Sequence, residues 1–595
     1  MLSSTCLLGK SIYYFRMIAP GEKVIEKKIC RISGKEFFVT DRDMEFYDRV
    51  SPVIGWNKYA IPSPNLCPEE RMRRRLIFLN NRHFYNMKSS RSWKNILSIF
   101  AEDKGYPVYH FDEWYAQDWD ACDFGRKMDM GKTVANNYAE LLKVFPKRNI
   151  VLGNGSENCE YVCNVGGSKN CYLITDTSGA VDCYFSSKVD GCEKCIDCSF
   201  CMQCMICYEC LQSENCYSCL YAENCSDCRD CIGISDCKNC TDCMLSSNLI
   251  NKRFVFLNKQ LSESEYRSQK LKFVESMSLW RVQTKDISRN IPHDFAPHLH
   301  ESNNECCLGD YVNNCSNCYE CFSCSDCSNC KYCTGLIHDA NNCMDVDGVG
   351  NHIEDIYESL TINKNCSSII FTNDAWGWCK DVMYSTVVKN SKNIFLSTGI
   401  VGKESCILNT PYSVQEYETL CEKIISHMMS TGEWWEFFAP ELSPFGYNET
   451  VANEYFPMAE AEVKSHGWNW YNEPEKKFEW NTIIPLPIRE YDEKVVGFEA
   501  AQRNIDILLN WVIKCEISWK PCKIIKQELA FYIENHLPIP TKHPNQRHIE
   551  RMNLRNPRFL NERSCSNCQN PMVTSYQANT AEKVVCKTCY RKLVY

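Results

Sequence analysis

Residues 191–210 read GCEKCIDCSFCMQCMICYEC, seven cysteines each three residues after the last. A period of three fits neither an α-helix, at 3.6 residues per turn, nor a flat strand, at two. The flanking sequence resolves it. Cys159, Cys171, Cys183, Cys195, Cys207, Cys219, Cys231 and Cys243 recur every twelve residues without interruption. The slots three, six and nine residues after each are small or apolar almost throughout, as in Cys198, Cys201 and Cys204, or Ala222, Cys225 and Cys228. A fixed short period with small inward residues is the signature of a solenoid, in which each coil buries its inner face on its neighbours. A twelve-residue coil is narrow. Leucine or phenylalanine overfills it, whereas Cys, Ser, Ala and Val fit at close-packed density.

The residue before an inward slot is often Asn or Asp, as at Asn158, Asn170, Asp182, Asn215, Asn224 and Asn239. These tolerate left-handed backbone at a corner. The pattern predicts a parallel β-solenoid whose interior is lined by Cys192, Cys195, Cys198, Cys201, Cys204, Cys207, Cys210, Cys219, Cys231 and Cys243. Its spacing resembles the twelve-residue β-helix of beetle antifreeze proteins, without their outward Thr-x-Thr face. A second array starts at Cys306 and continues through Cys315, Cys318, Cys321, Cys324, Cys327, Cys330 and Cys333 before loosening into twelve-residue segments. Both arrays end in L-N-x-x-x-S-x-x-E-Y, at 257–266 and 408–417. Ser262 with Glu265, and Ser413 with Glu416, are capping boxes that each start a helix.

Three roles are open to the inward thiols. Reduced cysteine serves as a small hydrophobe. Slots six apart, such as Cys195–Cys201 and Cys198–Cys204, could form disulfides. Stacked C-x-x-C pairs offer soft ligands to zinc, copper or an iron–sulfur cluster. Ser213, Ala222 and Ile234 interrupt the thiol columns, which favours packing.

Cys565, Cys568, Cys586 and Cys589 form C-x2-C-x17-C-x2-C, the spacing of a structural zinc ribbon. Four thiolates leave no open position, so the expected cofactor is a structural zinc. Cys30 and Cys67 stand where two such pairs would begin, but Ser33 and Glu70 hold the second positions; serine is a poor zinc ligand. Cys515, with Cys522 nearby, looks like a third worn knuckle without a second pair.

The expected architecture is multidomain and β-rich with helices: two tandem cysteine-lined parallel β-solenoids, each followed by a capping helix, with zinc-ribbon-like modules at the ends. It divides into an extension (1–28), a degenerate ribbon-like module (29–85) and a mixed α/β connection (86–154). The first solenoid (155–258), a helix and linker (259–300), and the second solenoid (301–409) follow. A helix with an aromatic segment (410–475), a helical region with a worn knuckle and basic helix (476–564) and the zinc ribbon (565–595) complete it.

The chain resembles, nearly end to end, a family of uncharacterised cysteine-rich, zinc-ribbon-ended proteins widespread in candidate-phyla-radiation bacteria. The matching stretches are SGKEFFVTDRDMEFYDRVSP, IPSPNLCPEERMRRRLIFLNNR, SPFGYNETVANEYFP, KIIKQELAFYIENHLPIP, HPNQRHIERMNLRNPR and CKTCYRKLVY. The resemblance implies cysteine at Glu70 and a C-x-x-T-G-K knuckle near residues 88–95, where this chain reads KSSRSWKN.

Net charge is −9, so a polyanion-binding surface would have to be local. Arg71, Arg73, Arg74 and Arg75 form one basic cluster; Arg547, Arg551 and Arg555 share one face of a second helix. Either could contact nucleic acid, form a solvated face or pair with the acidic solenoid, which carries 13 Asp/Glu and 5 Lys/Arg over 159–243. No GxGxxG, Walker A, GxSxG or HExxH motif is present. His293, His298 and His300 sit in a proline-bearing linker, read as solvated. No apolar run reaches membrane-spanning length and the start is a poor signal peptide, so a cytoplasmic location with reduced thiols is expected. The functional expectation is a non-enzymatic scaffold or binding protein, with a protein partner or self-association. The alternatives are a nucleic-acid- or ribosome-associated ribbon protein and a thiol redox or metal-storage protein.

Overall fold

Every third residue of the central ladders turns left-handed. The computed structural model describes residues 18–153, 155–186, 217–278, 294–337, 366–474, 505–537 and 539–594, with the short stretches 196–197, 208, 291–292, 340–341, 344–350, 353–354, 356–358, 360, 362–363 and 483–484. Cys192, Cys195, Cys198, Cys201, Cys204, Cys207 and Cys210 lie outside these residues. On either side of them, Asn158, Tyr161, Asn164, Asn170, Leu173 and Asp176, then Ser218, Tyr221, Asn224, Asp227 and Asp230, all have φ between 50° and 57°. Each such corner turns the next Cβ inward, and four corners close a coil. Asn and Asp hold the left-handed shape at least cost; at Tyr161, Leu173 and Tyr221 the ~1–2 kcal/mol penalty must be offset by bonding between coils. Asparagine corners also bond to the coil below, Asn158 to Asn170 at 3.2 Å and Asn239 to Asn251 at 2.6 Å.

The result is a parallel β-solenoid. In its first ladder, Cys163–Gly166 pairs with Thr175–Ser178, and Leu220–Glu223, Ile232–Ser235, Thr241–Ser247 and Arg253–Phe256 pair in order. Every register step there is twelve residues, as in Leu220↔Ile232 and Ile232↔Met244. In the second ladder the spacing varies about twelve, and the late segments at 380–395 keep the expected twelve. The step is eleven at Glu301↔Val312, twelve at Phe322↔Thr334, thirteen at Thr334↔Asp347, Ile362↔Ala375 and Asn373↔Thr386, and twelve again at Lys380↔Lys392. The longer coils coincide with larger inward residues: Cys318, Cys321, Cys324, Cys327 and Cys330 give way to Val346, Ile369, Val382 and Val388. Branched inward residues are not confined to the longer coils, since Ile394 and Ile234 lie in twelve-residue ones.

Both ladders end in the same device. Arg253–Phe256 folds back on Lys259–Gln260, and Glu404–Ile407 on Thr410–Pro411, in antiparallel hairpins. Leu257, Asn258, Leu408 and Asn409 are left-handed. Asn258 accepts from the Ser247 amide at 2.8 Å and Asn409 from the Thr398 amide at 2.8 Å. Helices Glu263–Ser278 and Val414–Thr431 then start at Ser262 and Ser413, whose amides donate to Glu265 and Glu416 at 3.0 Å. Tyr266 and Tyr417 are buried beneath these helices.

Segments from both chain ends cover the outer aromatic corners. Helix Asp41–Val50 places Tyr47 against Tyr357, ring centroids 4.9 Å apart; helix Lys526–Glu534 places Tyr532 against Tyr208 at 5.7 Å. The aromatic run after residue 432 packs into the same core through Trp434, Phe437, Phe438 and Tyr447.

Candidate metal centre

At the carboxy-terminal end, Asn561–Ser564 and Pro571–Thr574 form an antiparallel hairpin whose turn carries Cys565 and Cys568. Gln569, at φ 59°, lets the turn close: its amide donates to the Cys565 carbonyl at 2.9 Å, and the Cys565 amide to the Asn570 carbonyl at 2.8 Å. Cys586 and Cys589 lie at the start of helix Lys587–Val594, and the Cys586 amide donates to the Cys565 sulfur at 3.2 Å. The four Sγ atoms lie within 4.8 Å of one another, with Cys568 and Cys586 at 3.8 Å. A tetrahedral zinc with bonds of ~2.3 Å has sulfur–sulfur edges of about 3.8 Å, so the donor set fits a closed thiolate site. Bound there, a metal supplies charge and cross-linking alone, because no coordination position is left for substrate.

Cys30 and Cys67 also meet. Hairpin Val24–Ile29/Glu36–Thr40 turns at Cys30, Cys67 caps helix Pro68–Leu76, and a hydrogen bond between the thiols lowers Cys30. The Ser33 hydroxyl is 3.7 Å from the Cys67 sulfur, but Glu70 turns away to Arg73. Two thiols without a third strong ligand make a packed pair; the possible zinc site at Cys30 and Cys67 is corrected accordingly. The Cys515 turn follows the same plan, and the second half that sequence reading missed is His543, not Cys522. The His543 amide bonds the Cys515 sulfur, as the Cys586 amide bonds Cys565. Histidine and Gln546 in place of a second thiol pair left no cysteine signal to find.

The inward thiols carry a role beyond size. Cys228 donates to the carbonyls of Ser226 at 3.4 Å and Cys237 at 3.5 Å; Cys318 donates to Ser316 at 3.3 Å and Cys327 at 3.6 Å. Cys219, Cys231, Cys243, Cys321, Cys324, Cys327 and Cys330 each bond the carbonyl two residues back. Where serine fills a slot its hydroxyl takes the same partner, Ser186 to Tyr184 at 3.0 Å and Ser246 to Met244 at 2.8 Å. A side chain that is small, apolar and a weak donor suits a slot lined by inward carbonyls. Burial pushes Cys225 well above the ordinary thiol value, so its donor proton stays in place at neutral pH, whereas bonds from neighbouring thiols outweigh burial at Cys231 and Cys321 and lower them.

Of the readings open to the basic clusters, pairing with the acidic solenoid is the one their contacts match. Arg71 bonds Asp345 at 2.6 Å, Arg75 bonds Asp347 at 2.8 Å, and Arg74 grips both oxygens of Glu358 at 2.8 Å. Arg547 meets Asp197 and Glu528 at 3.0 Å, and Arg551 meets Asp197 at 3.1 Å. All five guanidiniums are buried; Arg73 is taken by Glu70 and Arg555 by the Tyr455 hydroxyl at 3.1 Å. Their charge fastens helices to the acidic ladders. The linker histidines are corrected: His298 is held down by burial, and His300 lies between Asp236 at 3.3 Å and Asp310 at 3.1 Å, stacked on Tyr311. His293 lies outside the described residues. Burial would lower His300, but Asp310 and Asp236 outweigh it and hold the imidazole at about 10.

No family model, curated protein or solved structure matches this chain. Among the described residues, no helix is long and apolar enough to cross a membrane, and Cys565, Cys568, Cys586 and Cys589 are the one group of three or more His, Cys, Asp or Glu placed to hold a metal ion.

Proposed function

We propose that the protein is a non-enzymatic scaffold or binding protein: two tandem β-solenoids, reduced inside, closed by helices and fastened by ribbon modules, with one structural zinc at Cys565, Cys568, Cys586 and Cys589. It works in the cytoplasm and belongs to the uncharacterised cysteine-rich, ribbon-ended family it resembles. The observation that carries this is the inward hydrogen bonding of the thiols. A thiol whose sulfur rests against an inward carbonyl packs as a weak donor, which favours structure over metal binding for the solenoid cysteines. Burial of the arginines favours scaffold over nucleic-acid binding. A protein partner or second copy is drawn by exposed aromatics such as Trp56 and Trp378. The test is elemental analysis with thiol counting on anaerobically purified full-length chain. One zinc per chain, with ladder thiols that react only after unfolding, is the expected result. Several equivalents of copper, iron or zinc would sink the reading.

A further inference from the structure

The KSSRSWKN segment, residues 88–95, folds as a fourth knuckle. Tyr85–Lys88 and Asn95–Ser98 form its hairpin. The Ser89 amide donates to the Lys94 carbonyl at 2.9 Å, the Trp93 amide to the Ser89 carbonyl at 2.9 Å, and Trp93 has φ 61°. These are the bonds of the Cys565 turn. The Cys30 turn repeats them through Lys35 and Gly34, and the Cys515 turn through Lys520 and Trp519. The second half matches as well. The Ser90 amide bonds the Val108 carbonyl at 2.7 Å, as Ser566 bonds Val584 at 2.9 Å and Arg31 bonds Asn65 at 3.1 Å. His110 and Glu113, at the start of the short helix Phe111–Trp114, therefore stand where Cys586 and Cys589 stand. In place of a metal, the Glu113 carboxylate is the hub: it accepts from the Ser89 hydroxyl at 2.5 Å and the His110 amide at 3.1 Å.

The four modules are also docked in matched pairs. Val108–Tyr109, just before His110, pairs in parallel with Lys147–Arg148, the approach to the first ladder. Val584–Val585, just before Cys586, pairs in parallel with Ala296–Pro297, the approach to the second. The flanking bonds agree, Asn149 amide to Tyr109 carbonyl at 2.9 Å and His298 amide to Val585 carbonyl at 3.0 Å. Each approach also reaches the opposite ladder, Arg148 to Asp374 and, three residues past the counterpart Pro297, His300 to Asp236, while His300 also meets Asp310 of its own ladder. The other two modules match likewise. Arg71 and Arg547 each lie four residues past the helix-capping ligand position, Cys67 or His543. Each pairs with a left-handed buried aspartate, Asp345 at φ 61° or Asp197 at φ 65°. Each also covers an aromatic ring, Tyr332 at 5.2 Å or Phe185 at 4.9 Å.

We infer that the chain carries four ribbon modules in two tandem pairs, arranged with pseudo-two-fold symmetry so that each pair clasps both ladders, and that Ser89, Ser92, His110 and Glu113 are the metal-free counterpart of the Cys565 site. Metal then governs one of two otherwise equivalent joints. The second clause rests on the metal reading of the Cys565 cluster; the equivalence does not.

The test restores the lost site: Ser89→Cys, Ser92→Cys, His110→Cys and Glu113→Cys together in the full chain, titrated with cobalt(II) and zinc. Thiolate–cobalt absorption should rise by one equivalent per chain relative to wild type. A folded variant with no added equivalent overturns the module assignment. A second arm needs no variant. Hydrogen exchange on metal-stripped wild type should show at least tenfold faster exchange at 296–302 and 571–590, with 95–98, 108–113 and 147–150 unchanged. Equal loss at both joints, or loss at neither, overturns the claim that metal governs one of them. Metal content of the wild type alone decides the Cys565 reading.

Discussion

The ribbons at Ser89 and Cys565 share one backbone and differ in what sits at the hub. At Cys565 four sulfurs face a point that a cation would fill. At Ser89 a carboxylate occupies the hub, and a hydroxyl and an amide point at it. The sign of the central charge has inverted while the turn, the strand pairing and the docking onto a ladder approach are kept. The fold of the knuckle is thus carried by its hairpin bonds and by docking; the hub sets how strongly, and under which conditions, the two halves are held.

The largest expected effect comes from emptying the thiolate hub. Replacing Cys568 and Cys586 by Ser should abolish zinc retention and, because binding at such sites is worth on the order of 10 kcal/mol, unfold the module locally. Exchange mass spectrometry should find the loss at 561–594 and not at 85–113; a protein as protected as wild type at 561–594 would remove the contrast. Next come the matched arginines. Arg71→Ala and Arg547→Ala each take one of two arginines from a buried aspartate, Asp345 or Asp197, and should each cost about 1–3 kcal/mol in urea unfolding. A large cost for one and none for the other would break the symmetry between the two clasps.

Smaller and opposite in sign are the pH responses of the joints. Burial tends to raise Glu113, but its bonds from Ser89 and Ser92 outweigh this and lower it. Its contribution is therefore present above the ordinary glutamate value and is lost as pH falls through the depressed one. His300 is raised, to about 10, so its contribution is complete below the ordinary histidine value near ~6.5 and fades as pH rises through about 10. Protection at 308–313, taken relative to the intrinsic base-catalysed exchange rate, should fall between pH 8 and about 10, and His300→Gln should remove that fall; constant protection in wild type would dismiss the buried imidazolium. Smallest is the test of the coil interior. Cys228→Ser keeps the donor and should cost about 1 kcal/mol or less, whereas Cys228→Leu overpacks the slot by about 1–3 kcal/mol, measured by thermal melting.

Much of the ladder was legible because its constraint is local. A coil closed by left-handed corners every third residue demands Asn, Asp or Gly often enough to show, and a narrow interior demands Cys or Ser. The repeated L-N-x-x-x-S-x-x-E-Y ending is likewise written in adjacent residues. The thirteen-residue coils are harder to see because cysteines thin out there, leaving Cys366 and Cys379, thirteen apart, among Val and Ile. The role of the arginines stayed open in the sequence because a helix carrying Arg71, Arg74 and Arg75 suits a solvated face as well as a paired one until Asp345, Asp347 and Glu358, some 270 residues or more later, are placed beneath it. The ribbons at Ser89 and Cys515 were hidden or half-hidden because their shape lies in backbone bonds, which serine, histidine and glutamine maintain without spelling a motif.

The crossed docking of the ends also sets an order of assembly. The helix carrying Arg71 is made early but has no acidic floor until residues 345–358 exist, and the flank of the first ladder waits for Arg547 and Arg551. Contacts of such sequence separation are slow to form, because the intervening chain must close first. During synthesis the first ladder therefore emerges with its aromatic corner uncovered, and this nascent chain cannot complete its fold until its last ribbons have left the ribosome.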